Sequence, residues 1–255
     1  MEAWCWSARA AWAEARYSNI FARSAPSIPR RPRRRSFCDV SYHRDAMPNW
    51  ESMWAGGLKP GQAFDAAKCE PAFTKLLSTA TGLPTGRALV PGCGRGYAVA
   101  ALARAGYDAT GLDIAPTAAA AANEYLASGA EEGIEGLPCR VEAADFFDYT
   151  GSFDLIYDCT FLCAIQPEER SSWAQKMDEL LTPETGELVT LIFPVASPPF
   201  TGGPPYCMSP ELVTSLLEPL GFEALSMSEV PSNELARGGK VGSSKEFIAR
   251  WRRKA

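Results

Sequence analysis

Residues 87–113 read RALVPGCGRGYAVAALARAGYDATGLD, and this stretch predicts a fold class that the rest of the sequence supports. An apolar run ends in a turn containing Gly92, Gly94 and Gly96, an Ala-rich helical segment follows, and a second apolar run ends at Asp113. The order of strand, glycine-rich turn, helix, strand and acid is typical of nucleoside-binding α/β proteins. In these, the acid at the tip of the second strand accepts hydrogen bonds from ribose hydroxyls.

The spacing of the glycines favours one nucleoside ligand over another. They form G-x-G-x-G, whereas the dinucleotide fingerprint is G-x-G-x-x-G, and Tyr97 occupies its third glycine position. That third glycine lets the helix pack closely beside a pyrophosphate, a group that S-adenosylmethionine (SAM) lacks. We therefore expect SAM as the cofactor. A nicotinamide-dependent oxidoreductase and a crossover without any ligand remain alternatives, because a glycine-rich turn alone is a weak signal.

Strand and helix patterns alternate along most of the chain. Apolar runs predict strands at residues 87–91, 109–113, 140–143, 153–157, 187–193, 222–230 and 245–251. Helical patterns lie at 49–77 with a break at Pro60-Gly61, at 95–105, 118–127 and 168–181, and from Ser209-Pro210 to Gly221. The alternation predicts an α/β fold with a mostly parallel sheet and helices on both faces. The last two strands are joined by a Gly/Ser loop, so we expect an antiparallel C-terminal hairpin.

Charge is distributed unevenly along the chain. The formal net charge is −5, but residues 1–48 hold nine arginines and four acids, a balance of +5 that leaves the body at −10. An acidic body argues against a nucleic-acid partner, because a phosphate-binding surface is basic. No run approaches the roughly 18 apolar residues of a membrane span. We expect a small-molecule substrate, and the sequence leaves the oligomeric state open.

The Arg-rich front segment is expected to be separate from the body. Residues 1–47 have the composition of an organelle transit peptide, which would direct the protein to a mitochondrion or chloroplast. A disordered tail, or translation beginning at Met47, are the alternatives, and both would leave a cytoplasmic protein. The sequence therefore predicts an N-terminal extension at 1–47 and one domain at 48–255.

The cysteines and the single histidine exclude several kinds of chemistry. The eight cysteines contain no C-x-x-C pair, so neither a zinc site nor a thioredoxin-type couple is indicated. The only histidine is His43, in the front segment. The body therefore cannot use Ser-His-Asp or Cys-His catalysis or a His-ligated metal, and we expect no metal.

The body resembles the plant halide/thiol methyltransferases, a branch of the thiopurine S-methyltransferase family. The resemblance covers roughly residues 48–252 and is carried by NWESMW (49–54), GRALVPGCGRG (86–96), GLDI (111–114), FDLIYDCTFLCAIQPEER (153–170), WAQKMDELL (173–181) and TGGPPY (201–206). It implies a Rossmann-like class I SAM-dependent methyltransferase fold with a seven-stranded sheet. It also implies methyl transfer to a small soft nucleophile such as a halide, thiocyanate, bisulfide or a small thiol.

The same resemblance implies a set of cofactor-binding residues, namely Trp50, Trp54, Gly92, Gly94, Asp113, Asp145, Phe146 and Cys159. In this set Trp50 and Trp54 would close over the cofactor and Asp113 would bind the ribose. Asp145 and Phe146 would hold the adenine, and Cys159 would face the methionine end.

The expected chemistry needs position rather than an acid or base. A soft anion attacks the activated methyl directly, and a thiol with a pKa of about 8.5 is a few per cent ionised at neutral pH. No catalytic acid or base is therefore expected. Positioning is assigned to Trp54, Phe161, Phe193 and Tyr206, and aromatic faces would stabilise the sulfonium by about 0.5–2 kcal/mol each.

Some features depart from the family pattern or have a purely structural alternative. Gly61 stands where a third tryptophan is expected, Cys159 where an aromatic is common, and Phe193 where tyrosine is common. Trp50, Trp54 and Phe193 are also compatible with core positions, Tyr206 with a surface loop, and Asp145 and Asp158 with backbone caps. A SAM-binding protein without catalysis is thus a further alternative. Base methylation is disfavoured. In nucleic-acid enzymes that methylate an amino group, a D/N-P-P-Y motif directly follows the fourth strand, whereas Pro204-Pro205-Tyr206 follows the fifth strand here.

Overall fold

The computed structural model describes residues 48–129, 132–195, 202–236 and 245–254. The predicted extension at 1–47 lies outside these residues, so the proposed domain boundary stays a prediction. Within the described part of the chain, no helix is long and apolar enough to cross a membrane.

The described residues form seven strands in a single sheet. They are β1 (Arg87–Pro91), β2 (Asp108–Asp113), β3 (Cys139–Ala143), β4 (Leu155–Cys159), β5 (Glu187–Val195), β6 (Phe222–Glu229) and β7 (Lys245–Arg253). Their order across the sheet is β3-β2-β1-β4-β5-β7-β6. Strands β1 to β5 run parallel, whereas β7 is antiparallel to both β5 and β6. The predicted mostly parallel sheet with an antiparallel C-terminal pair is confirmed.

Six α-helices accompany the sheet in the described residues. They are α1 (Trp50–Ala55), α2 (Pro71–Thr79), α3 (Tyr97–Arg104), α4 (Pro116–Ala127), α5 (Arg170–Leu180) and α6 (Pro210–Leu217). The predicted start of α6 is confirmed, because the Ser209 side chain accepts a hydrogen bond from the Leu212 amide at 3.1 Å.

The region before β1 differs most from its predicted form. The pattern at 49–77 predicts two helices separated by one break at Pro60-Gly61, but residues 56–70, here called the connecting segment, are irregular throughout. Positive φ angles occur at Gly57, Gly61, Ala63 and Ala67, and such angles are incompatible with a right-handed helix.

Two apolar clusters cover the two faces of the sheet. One contains Trp173, Trp251 and Phe153, and the other contains Phe73 and Tyr157, whose rings stack with centroids 3.5 Å apart. Alternate residues of the central strands contribute to opposite faces, which is why β1, β4 and β5 are almost continuously buried. The sheet order reverses between β1 and β4, and in folds of this type ligands bind outside the carboxyl ends of the strands at that point.

A buried ion-pair network holds the opposite, amino end of the sheet. Glu187, at the start of β5, has no exposed surface and accepts hydrogen bonds from Arg250 at 2.8 and 3.0 Å. Arg252 pairs with the same carboxylate. Because both arginines lie on β7, the network fixes the antiparallel strand against β5.

We expect the Glu187→Gln substitution to lower the free energy of unfolding by about 3 kcal/mol, since it leaves two arginines without their buried anion. Urea denaturation measures this loss. The matched control is Glu229→Gln, which removes an exposed pair with Lys245 and should change stability by less than about 1 kcal/mol. Equal effects of the two substitutions would contradict the structural role of Glu187.

Candidate functional site

The glycine-rich turn after β1 is joined to the tip of β2 by Asp113. One carboxylate oxygen of Asp113 accepts the Gly94 amide at 3.0 Å, and the other accepts the Ala115 amide at 3.0 Å. The residue is 8% exposed, and burial raises the pKa of its carboxyl, an effect that these two amide bonds oppose. Each oxygen keeps a further lone pair, so Asp113 can accept two additional hydroxyl groups without giving up the turn.

An aromatic cluster lies beside this turn. The Phe64 ring packs edge-on against Trp50, with centroids 5.6 Å apart, and against Trp54 at 6.0 Å. A Cβ built on Gly94 would be 3.5 Å from Trp54, so the indole lies directly over the turn. The sequence interpretation treated Gly61 as the position of a missing third ring. The structure shows that Phe64, three residues later, completes the cluster of Trp50, Trp54 and Phe64.

Helix α1 is held in place by its own acidic residue. The Glu51 carboxylate accepts the backbone N–H of Thr117 at 3.0 Å and is also hydrogen bonded to the Thr117 hydroxyl. These bonds lower the pKa of Glu51. The N-cap residue of α4, Ala115, has no side-chain oxygen to offer, so Glu51 supplies that cap from another helix.

The residues after β3 lie beside the tip of β2. The Asp145 carboxylate accepts the Phe147 amide at 2.9 Å, closing a local turn, and Ala144 donates its amide to the Asp113 carbonyl. Phe146 is 4% exposed and packs into the core, whereas Ile114 is 56% exposed beside Asp113. Sequence reasoning did not single out Ile114, because the residue type alone does not show that this large apolar side chain is exposed next to Asp113.

The end of β4 is organised by Asp158. One oxygen of this fully buried carboxylate accepts the Phe161 and Leu162 amides, and the other accepts the Trp173 indole N–H at 2.8 Å. Asp158 thus shapes the loop after β4, which agrees with the alternative that this residue caps neighbouring backbone groups. The loop carries Phe161 across the glycine-rich turn, since a Cβ on Gly92 would lie 2.5 Å from the Phe161 ring.

The remaining expected residues occupy the neighbouring region. Cys159 is partly buried at the end of β4 and packs against the cluster of Phe73 and Tyr157. Phe193 is 4% exposed at the end of β5. It lines a small cavity between the ends of β4 and β5 and helix α6, together with Thr160, Leu162, Cys163, Met208 and Val213. Tyr206 lies next to this cavity, because its amide donates to the Cys163 carbonyl at 2.6 Å.

An arginine that sequence reasoning missed lies near the Tyr206 ring. Arg170, at the start of α5, is 7% exposed and its Nε has no hydrogen-bond partner. Its guanidinium lies 5.8 Å from the Tyr206 ring centroid, and burial lowers its pKa. Among the described residues no carboxylate forms an ion pair with it. A buried cation in this condition is costly, so the position is suited to an anion.

Comparison with known proteins identifies close sequence relatives. Residues 46–254 match the thiopurine S-methyltransferase family. The chain is 40% identical over 210 residues to probable thiol methyltransferase 2 of Arabidopsis thaliana, covering 80% of this chain and 84% of the relative. It is 39% identical to thiocyanate methyltransferase 1 of the same plant, with the same coverage.

Solved structures with the same fold are more distant in sequence. A protein studied in the conversion of a disulfide bond into a thioacetal group during echinomycin biosynthesis superposes with a TM-score of 0.61 at 20% identity, covering 80% of this chain and 91% of that one. Magnesium protoporphyrin IX methyltransferase from Synechocystis PCC 6803 gives 0.55 at 18% identity, covering 72% and 77%. These similarities support the class I fold.

We expect Asp158 to make the protein more stable as the pH falls from about 7.5 to about 5. Burial raises its pKa from 3.8 to about 6 in the folded protein, against the opposing effect of its three hydrogen bonds. The folded state therefore binds a proton more readily than the unfolded chain, and the stability from that proton is lost as the pH rises through about 6. Urea unfolding at both pH values, for the wild type and Asp158→Asn, isolates this residue. A difference between the two proteins that does not vary with pH would refute the assignment.

Proposed function

The chain belongs to the thiopurine S-methyltransferase family and is a SAM-dependent methyltransferase, and we propose that its acceptor is a small soft anion. Thiolates, bisulfide and thiocyanate are the expected acceptors, with iodide and bromide as an extension. The observation that carries the proposal is the buried Arg170, whose Nε has no hydrogen-bond partner and which forms no ion pair with a described carboxylate. It lies near Tyr206, which adjoins the cavity at the ends of β4 and β5.

The site fits the cofactor on three counts. Gly92 and Gly94 have φ angles of +56° and +55°, a conformation that glycine adopts without strain and that lets a ligand approach the backbone closely. Asp113 has acceptor capacity left for two ribose hydroxyls. The exposed Ile114 and the Asp145 turn lie on the β3 side of Asp113, where we place the adenine with Phe146 behind it. Trp50 would then cover the nucleoside from α1.

The aromatic residues surround the place where the methyl group would be transferred. SAM supplies a methyl group already activated by a sulfonium cation. Trp54 lies over the turn from one side, Phe161 covers Gly92 from another, and the aromatic faces would attract the cation by about 0.5–2 kcal/mol each. Cys159 is assigned to the methionine end. Water exclusion by these rings keeps the nucleophile poorly solvated and close to the methyl.

The acceptor side is assigned to the cavity near Arg170. Its guanidinium would attract an anion, while Phe193 and Met208 supply an apolar wall that suits a polarizable sulfur or halide. Tyr206 would orient the acceptor from the loop after β5. No general base is needed, because Arg170 also favours the ionised form of a bound thiol.

The alternatives are separated by family membership and by turnover. Membership in a methyltransferase family removes the reason to expect a nicotinamide-dependent oxidoreductase. A SAM-binding protein without catalysis would bind the cofactor with the same residues, so only a turnover assay separates it from an enzyme.

For the front segment, we propose that residues 1–47 are a removable targeting extension. Fluorescent fusions of residues 1–47 and of the full chain would test whether it directs the protein to an organelle.

The direct test is a substrate panel with labelled SAM and the purified protein. We expect methylated product from thiocyanate, bisulfide, small thiols and iodide, and none from alcohols, whose attack requires a base. SAM binding without turnover of any soft nucleophile would refute the proposed acceptor class.

The Asp113→Ala substitution should weaken SAM binding by about 1–3 kcal/mol, because two ribose hydroxyls lose their acceptor. Calorimetry measures the affinity directly. Asp108→Ala, on the same strand but at its exposed start, is the matched control and should bind SAM as the wild type does. Unchanged affinity in the Asp113 variant would show that the ribose assignment is wrong.

The Arg170→Met substitution should raise the KM for thiocyanate or a thiol by about tenfold and leave the KM for SAM unchanged, because it removes one charge-assisted contact to the acceptor. Arg140→Met, at an arginine whose side chain is 47% exposed, is the control. Steady-state kinetics with each substrate varied in turn would show the split. An unchanged acceptor KM would exclude Arg170 as the anion site.

A further inference from the structure

One buried carboxylate fastens the connecting segment to the glycine-rich turn. Asp65 accepts a hydrogen bond from Arg95 Nε at 3.1 Å and another from the Tyr97 hydroxyl at 3.2 Å. It also accepts the amides of Gly61 at 3.2 Å and Ala67 at 2.7 Å. The Asp65 side chain is 2% exposed, so its bonds to Arg95 and Tyr97 are partly shielded from water and are stronger than they would be at the surface.

Arg95 extends this link to the aromatic cluster. Its Nη2 donates to the Leu58 carbonyl at 2.7 Å, and its guanidinium lies 5.2 Å from the centroid of the Trp54 ring. Arg95 is part of the turn itself, between Gly94 and Gly96. The guanidinium therefore contacts Leu58 and Asp65 of the connecting segment and lies near the indole that covers the turn.

We propose that Asp65 is a positioning residue that sets how tightly SAM is held and how fast the product, S-adenosylhomocysteine, is released. It acts through Arg95 and Trp54 and touches neither the cofactor nor the acceptor. This inference rests on the proposed function, because it takes the cofactor to bind at the glycine-rich turn, beside the aromatic cluster.

The expected effect follows from what the carboxylate holds. Without it the guanidinium loses its anion and two backbone amides of the connecting segment lose their acceptor. The segment would then stay open for a larger fraction of the time, and Trp54 would no longer be held over Gly94. Cofactor affinity falls when the binding-competent arrangement is less populated. The acceptor cavity is formed by β4, β5 and α6 and should not respond.

The test compares Asp65→Asn, Arg95→Met and the double variant. We expect each single variant to raise the dissociation constant of SAM by about tenfold and to speed release of S-adenosylhomocysteine, as measured by stopped-flow tryptophan fluorescence. The double variant should be no weaker than either single one, because both remove the same link. Arg95→Lys, which keeps the charge, should bind SAM with intermediate affinity. The KM for the acceptor should stay unchanged in all of them.

Glu187→Gln serves as the matched control, because it also removes a buried carboxylate from its arginines but lies at the opposite end of the sheet. It should lower stability and leave SAM affinity unchanged. If Asp65→Asn does not fold, Arg95→Met carries the test alone. Wild-type SAM affinity in folded variants, or an equal rise in the acceptor KM, would overturn the inference. Absence of SAM binding by the wild type would instead overturn the proposed function.

Discussion

The carboxylate of Asp113 connects the two crossovers on which the whole site is built. It bonds the turn after β1 and the first residues after β2 at once, and the Cys93 amide bond to the Leu112 carbonyl supports the same junction. The aromatic cluster packs on that turn, and α1 is fixed at the start of α4 only two residues beyond Ala115. A change in Asp113 would therefore move parts of the site that it never contacts.

Buried charged side chains occur at both ends of the sheet, and they differ in whether the protein itself supplies an opposite charge. At the amino end of the sheet, Glu187 is matched by two arginines, and no ligand is needed to complete the arrangement. At the carboxyl end, Arg170 is buried, its Nε has no hydrogen-bond partner, and no described carboxylate forms an ion pair with it. Desolvating a charge without pairing it is unfavourable for folding alone. Such an imbalance persists where a ligand completes the pair, and its place at the carboxyl ends of the strands agrees with the usual location of ligands in α/β sheets.

The strands of the sheet could be predicted from the sequence, but the side-chain contacts that build the site could not. Apolar runs of strand length predict the positions of the strands, and the Gly/Ser loop predicts the antiparallel C-terminal pair. The position of Asp113 follows from the glycine-rich turn before it. The pairing of Asp65 with Arg95 joins residues 30 positions apart through an irregular segment, and no periodic pattern marks either residue. Phe64 was overlooked for the same reason. Arg170 sits in an ordinary helix start, where nothing local distinguishes a buried arginine from a solvated one.

The bond from Glu51 to Thr117 has a practical consequence for shortened versions of the protein. Because this carboxylate caps a helix that begins 65 residues later, the minimal folding unit starts ahead of α1. A recombinant fragment trimmed to the first strand would keep every residue of the sheet, yet it would expose the amino end of α4 and lose the Trp54 indole that covers the glycine-rich turn. Limited proteolysis that cuts between α1 and β1 should accordingly release a core that is less soluble than its parent.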